Sequence, residues 1–292
     1  MLIDIFTYTQ ASPNAPFDLE SLMEAARCAR LDGIAVTDRG TSSRAREYAD
    51  KAARAGFFVA FGVEIETASG RVVAYPAHID DEFVSEGWRS LGERPDASDV
   101  LSYFHDRGGV VVARDVFNRG EGLRDAIYAA KDAQGRGVDA VDTVAVYRRR
   151  IDNELSIEAQ QVLGVPACAG SGVFDSLQDI GHCATLFAGD IRDQESFVAE
   201  LRGPLHWACA LRDLGDACPM GAAPVEDRAE RGDRGFERRG RGEGRRGEER
   251  RGDDRREARG RDRRHGDDRR GGGDRRGGDR RGGDRRGGRP RR

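Results

Sequence analysis

Short apolar runs recur through roughly the first 210 residues, each breaking into a polar or glycine turn, with helix-patterned stretches between them. This repetition constrains the fold more than any other feature of the chain. An apolar run without polar alternation is a strand covered on both faces, and coverage of that kind comes from crossover helices. "GIAVTD" and "GVVVAR" are two such runs. After the opening strand, "IDIFTYTQAS", Leu19, Leu22, Met23, Ala26 and Ala29 recur at helical spacing. Asp18 is placed to cap that helix and Gly33 follows its end. Further helices are predicted over residues 42–55 (Thr41 capping, Gly56 stopping), over "DVLSYFHDR" (Asp96 or Ser98 capping), over residues 121–133 and 152–163, and from Asp193 to near Gly203. "FFVAFGVEIET" reads as one strand. "RVVAYPA", "VDAVDTVAVY", "VPACAGSG", "CATLFAG" and "LHWACALR" supply the rest. The expectation is an α/β protein whose parallel strands close into a distorted (β/α)7-type barrel over residues 1–212.

Charge marks where that pattern stops. The formal net charge of −3 conceals a split, with residues 1–224 near −13 and residues 225–292 near +10. Residues 213–224 read as a linker. Beyond them the only apolar residues are Val225, Ala229, Phe236 and Ala258, too few to offset the entropy of ordering, so residues 225–292 are expected to be a disordered Arg/Gly-rich tail. It holds the repeat "GGDRR" and four Arg-Gly-Gly units starting at Arg270, Arg276, Arg281 and Arg286. Such units contact RNA or single-stranded DNA through charge and guanidinium stacking. Here 17 acidic residues dilute 27 arginines and only Phe236 is aromatic, so the contact is expected to be modest and salt-sensitive. A solvated repeat, or one that meets an acidic protein partner, fits the same composition. The five cysteines form no CxxC pair and read as small buried hydrophobes. With no apolar run near the roughly 20 residues that span a bilayer, no membrane partner is expected, and the chain reads as cytoplasmic.

In α/β folds of this type chemistry gathers at the carboxyl ends of the strands. Read in order, those ends are "FTYTQAS", "TDRGT", "GVEIET", "ARDVFNRG" and "GSGVF", followed by "IGHCATLF". Their order and spacing over about residues 2–190 resemble the PHP (polymerase and histidinol phosphatase) family. That resemblance implies a metal-dependent phosphoesterase fold with ligands in His-x-His, Thr-Asp-His, Gly-x-Glu, Ala-His-Pro and Gly-Ser-Asp-x-His. This chain departs at nearly every one. Phe6 and Tyr8 stand for His-x-His, Arg39 for the histidine of Thr-Asp-His, and Arg114-Asp115 for His-Pro. Gly172 and Phe174 stand for the last Asp and His. Glu64 alone keeps a ligand position, while Asp142 and Val73 fall where the register is open.

Rings, guanidinium groups and one carboxylate do not assemble a di- or trinuclear site. No metal and no catalytic residue is therefore expected, with Phe6 and Tyr8 filling the space of imidazoles and ions. Arg39, Arg114 and Tyr8 are then candidates for a metal-free anion site; alternatively, the arginines pair with Glu64 or Asp38 and plug it. The leading expectation is a non-catalytic scaffold or anion- or nucleotide-binding module with a nucleic-acid-binding tail. Two other readings stand beside it. One is a residual phosphoesterase using Mn, Zn or Fe at Glu64, and the other is a protein-interaction module.

Overall fold

The computed structural model describes residues 1–118, 122–145, 147–173 and 175–211. Strand β1 (Leu2–Thr7) leads into helix α1 (Leu19–Cys28), β2 (Gly33–Val36), α2 (Ala45–Ala55) and β3 (Phe58–Phe61). Then follow β4 (Val63–Thr67), β5 (Gly70–Tyr75), α3 (Asp81–Val84), α4 (Ala97–His105), β6 (Val110–Ala113) and α5 (Ala126–Ala129). The series ends with β7 (Ala140–Val144), α6 (Arg150–Leu163), β8 (Ala167–Ala169), β9 (Cys183–Phe187), α7 (Gln194–Arg202) and β10 (His206–Ala210). No helix among the described residues is long and apolar enough to cross a membrane.

The class is α/β as expected, but the closed parallel barrel is not found among the described residues. Two five-stranded mixed sheets take its place, in the orders β10-β9-β1-β2-β3 and β4-β5-β6-β7-β8. The cause is local. "FFVAFGVEIET" is split at Gly62, where a Cβ would lie 2.6 Å from the Tyr75 ring, so β3 and β4 belong to different sheets. The turn from β4 to β5 is too short for a crossover, so β5 runs antiparallel to β4, and it also pairs antiparallel with β6. At the other seam β1 meets the segment after β8 through a single bridge, Thr7 to Val173. Strand β9 returns antiparallel to β1, with Ile3 opposite Thr185. Only β1–β2, β2–β3, β6–β7 and β7–β8 keep the expected parallel sense.

The helices cover these strands much as their spacing predicts. In α1, Leu19, Leu22, Met23 and Ala26 are buried, and the Asp18 side chain accepts from the Ser21 amide at 2.8 Å. Asp193 caps α7 in a reciprocal capping box with Ser196. Next to it, the Gln194 side chain closes the gap where the sheets part. It accepts from the Phe61 amide at 2.9 Å and donates to the carbonyls of Phe61 and Pro76, both at 2.8 Å. Phe197 packs edge-on to Tyr75 and beside Phe187. Two helices differ from expectation. Thr41 does not cap α2, because its hydroxyl is bound to Glu86 at 2.5 Å and the helix starts at Ala45. The helix predicted over 121–133 contracts to Ala126–Ala129, because Asp132 captures the amides of Gln134 and Arg136 (2.9 and 2.8 Å) in a turn.

Candidate functional site

The strand ends bring Tyr8, Arg39, Glu64 and Arg114 together. Glu64 sits near the start of β4, bridged to the end of β2 through a parallel pairing with Arg39. Its carboxylate is 3 % exposed, and both oxygens are engaged. Arg39 Nε lies 3.0 Å from Oε1, and the Tyr8 hydroxyl donates to Oε2. Arg71 Nε, 3.7 Å from Oε1, and Arg114 Nε, 3.8 Å from Oε2, add two further guanidinium groups. Burial, together with the charge of Glu64, pushes the Tyr8 phenol well above its usual range, so it remains a neutral donor.

Arg114 follows β6 and is itself only 2 % exposed. Its guanidinium stacks 4.0 Å above the Phe6 ring and donates to Asp142 Oδ2 at 2.6 Å. Asp142, in β7, receives Arg148 on its other oxygen at 2.7 Å. Asp115 completes the cluster from a left-handed backbone (φ 49°), which aims its carboxylate at the Tyr147 hydroxyl (2.6 Å) and at Arg148 Nε (3.4 Å). Burial disfavours the Asp115 anion, but Arg114 and Arg148 outweigh it and hold the carboxyl below its ordinary value. Four guanidinium groups (Arg39, Arg71, Arg114, Arg148) thus face three carboxylates (Glu64, Asp115, Asp142).

Gly172 shows why Arg114 fits. It has φ +63°, and a Cβ there would meet Arg114 Nη2 at 2.6 Å and the Tyr147 ring at 2.9 Å. The position the resemblance gives to an aspartate is therefore occupied by the guanidinium and the ring. Phe174 lies outside the described residues, as do Arg270, Arg276, Arg281, Arg286 and the linker 213–224. Val73 is buried in the core and carries no donor. Asp38 is not an arginine partner here; it accepts from the Thr9 amide and hydroxyl (both 2.7 Å) and from Ser12 (2.8 Å).

Sequence reasoning missed Arg71 and Arg148. Arg71 opens an antiparallel strand that was expected to be parallel, and Arg148 sits in "YRRR", between a predicted strand and the helix predicted from 152. Asp142 inside a predicted apolar strand was the one available signal, because a buried carboxylate demands a cation.

The donor set does not fit a divalent cluster. An ion at Glu64 would face three guanidinium groups within 4 Å of its carboxylate. Each unit repulsion at that range is about 4 kcal/mol at an effective dielectric near 20 and doubles for a dication. Among the described residues no group of three or more His, Cys, Asp or Glu side chains is arranged to hold a metal ion.

No family model matches the chain, and no curated protein matches it in sequence. Solved structures do. A candidate metal-dependent phosphoesterase from Bifidobacterium adolescentis aligns at 15 % identity over 60 % of this chain and 88 % of its own, with a TM-score of 0.49. An amidohydrolase from Chromobacterium violaceum, solved with bound sulfate and no metal, aligns at 15 % over 62 % and 90 %, TM-score 0.47. PsfC from Pseudomonas syringae aligns at 18 % over 72 % of this chain and 91 % of its own, TM-score 0.50. At these identities the likeness is one of fold alone.

Proposed function

We propose that this chain is a non-catalytic PHP-like module in which a guanidinium–carboxylate plug stands where the resemblance would put a metal centre, and that the folded body serves as a scaffold for the Arg/Gly tail. One observation carries the reading: both oxygens of Glu64, the one retained ligand position, are taken by Tyr8 and Arg39. An ion at that carboxylate would have to displace these partners and sit against three guanidinium groups, and without an ion hydrolysis lacks an activated water. The test uses the purified full chain, with metal analysis and hydrolysis of bis(p-nitrophenyl) phosphate in added Mn, Zn or Fe. The expected result is substoichiometric metal and turnover no greater than that of Glu64→Ala. Stoichiometric metal with turnover that Glu64→Ala abolishes would establish the residual phosphoesterase instead.

A second reading concerns the same residues. Among the described residues the cluster holds four guanidinium groups and three carboxylates, and Arg39 is 36 % exposed at the rim. That surplus favours a small oxyanion or nucleotide phosphate at Arg39, with Arg114 and Tyr8 behind it. Calorimetric titration with phosphate and with a nucleotide decides it; heat lost in Arg39→Ala supports the site, and heat unchanged in that variant removes it. For the tail, contact with RNA or DNA through Arg270, Arg276, Arg281 and Arg286 predicts a gel shift that weakens steeply with salt and vanishes when those four are changed to Ser. A shift unaffected by the four changes points to the protein-interaction reading.

A further inference from the structure

Residues 40–44 lie between two sets of contacts that cannot both be complete. Thr41 is placed in the sequence to cap a helix from residue 42, yet α2 begins at Ala45, and its N-cap position, Arg44, has no side-chain cap. The Thr41 hydroxyl donates instead to Glu86 Oε1 at 2.5 Å. Its oxygen nevertheless stays 3.4 Å from the Ser43 amide, which is a stretched form of the capping bond. One side chain, distant in sequence, thus overrides a local preference, and two arrangements of the same loop are set against each other.

The overriding residue is itself held in an unfavourable state. Glu86 has a left-handed backbone, φ 60°, which costs a residue with a Cβ. Its Oε1 also accepts from the Ser42 amide at 3.1 Å, and its Oε2 accepts from Arg89 Nε. Arg89 so oriented donates to the Gly40 carbonyl, while the Gly40 amide donates to the Glu64 carbonyl at 2.8 Å. Gly40 is therefore fixed on both sides, and the preceding residue, Arg39, lies on the Glu64 carboxylate. Ser42 is pinned separately, donating from Oγ to the Phe83 carbonyl at 2.6 Å and accepting from Trp88 Nε1 at 3.2 Å. It can stay in place while its neighbours move. We propose that Glu86 is a latch that positions Arg39. Latched, α2 stops short of residue 42 and Gly40 keeps Arg39 over Glu64. Unlatched, Thr41 turns about Ser42 to cap a lengthened α2, Gly40 leaves the Glu64 carbonyl, and the plug loses its arm at the rim.

Residue-resolved amide hydrogen exchange tests this on the full chain and on Glu86→Gly, which deletes the carboxylate and tolerates the left-handed backbone. The expected result is reciprocal. Protection of the Ser43 and Arg44 amides rises about five-fold, the worth of an N-cap, while protection of the Gly40 amide falls. Adding Thr41→Val abolishes the rise and leaves the fall. Glu86→Gln, a weaker acceptor that keeps the side-chain shape, shows the same pattern at smaller size and serves if the glycine variant does not fold. Protection lost at all three amides would make Glu86 a structural prop, and protection unchanged at all three would mean that no latch exists. A rise at Ser43 and Arg44 with Gly40 unchanged would separate the cap from Arg39. Each of these three outcomes overturns the proposal.

Discussion

Strands β6 and β7 carry a buried charge cluster at each end, and the two clusters are built on opposite principles. At the carboxyl ends, Asp142 is gripped by two guanidinium groups, Arg114 and Arg148, at 2.6 and 2.7 Å. At the amino ends, one imidazole is gripped by two carboxylates. His105, the last residue of α4, places Nδ1 2.8 Å from Asp132 and Nε2 2.8 Å from Asp139. Asp139 also takes the Val111 amide at 2.7 Å and thereby ties the entry of β6 to that of β7. Guanidinium groups do not lose their proton in the accessible pH range, whereas an imidazole does. The cations of the carboxyl-end cluster therefore keep their charge throughout, and only acid discharges it, by protonating carboxylates such as Asp142, which burial raises. The amino-end cluster is conditional on a proton. One pair of strands thus separates a lock that only acid can discharge from one that alkali releases.

The largest test of this contrast is Arg114→Ala. It leaves Asp142 and Glu64 short of a cation in a buried setting, and removal of one partner from such a network costs about 3–5 kcal/mol. Urea unfolding is expected to show that loss at pH 6 and pH 9 alike. A variant within about 1 kcal/mol of wild type would mean the plug contributes little. Next in size is Gly172→Asp, which drives a Cβ into Arg114 and Tyr147 and forces a side chain into the left-handed region. We expect a destabilisation of about 2–3 kcal/mol, reduced by about 1 kcal/mol or more in the Arg114→Ala background, where the guanidinium is gone. Strict additivity in that double-mutant cycle would uncouple the glycine from the arginine.

The third prediction concerns the amino-end cluster. Burial opposes the His105 imidazolium, but its hydrogen bonds to Asp139 and Asp132 outweigh burial and hold the proton above the ordinary histidine value. Its stabilisation is thus fully present below about pH 6.5 and is lost as pH rises through the elevated folded value. The urea midpoint should fall from pH 6.5 into the alkaline range, and His105→Gln should flatten the fall. Asp4 does not confuse this window. Burial raises its carboxyl to about 6, so its own effect lies at lower pH, where stability declines as pH climbs from about 4 to 6. The smallest effect belongs to Arg136→Ala. Arg136 Nε is 2.6 Å from Asp132 but the side chain is 52 % exposed, so the melting midpoint should move by no more than about 2 °C and not at all in high salt.

What the sequence made legible follows from what each residue has to satisfy. The run Val110–Ala113 and the Asp18 cap are local demands, met in any α/β arrangement, and both stand where their pattern predicts. Strand direction is different. "RVVAYPA" is equally apolar read either way, and only the length of the β4–β5 turn makes β5 antiparallel. For the same reason the two-sheet arrangement was hidden, since Gly62 looks like any strand glycine until Tyr75 is laid against it. The candidate site was half legible. Phe6, Tyr8, Arg39 and Arg114 were visible at the positions the resemblance gives to ligands, but which acids would receive the arginines depended on Asp115 and Asp142, brought in from two separate strand ends.

The position of β1 between β2 and β9 has a consequence for how the chain is made. Its first partner is about thirty residues away and its second is Leu186 and Thr185, encoded far downstream. During synthesis on the ribosome β1 and β2 can pair early, but one edge of β1 must wait, unpaired and apolar, until β9 has emerged. The nascent chain therefore remains exposed to mispairing until most of the body has been translated.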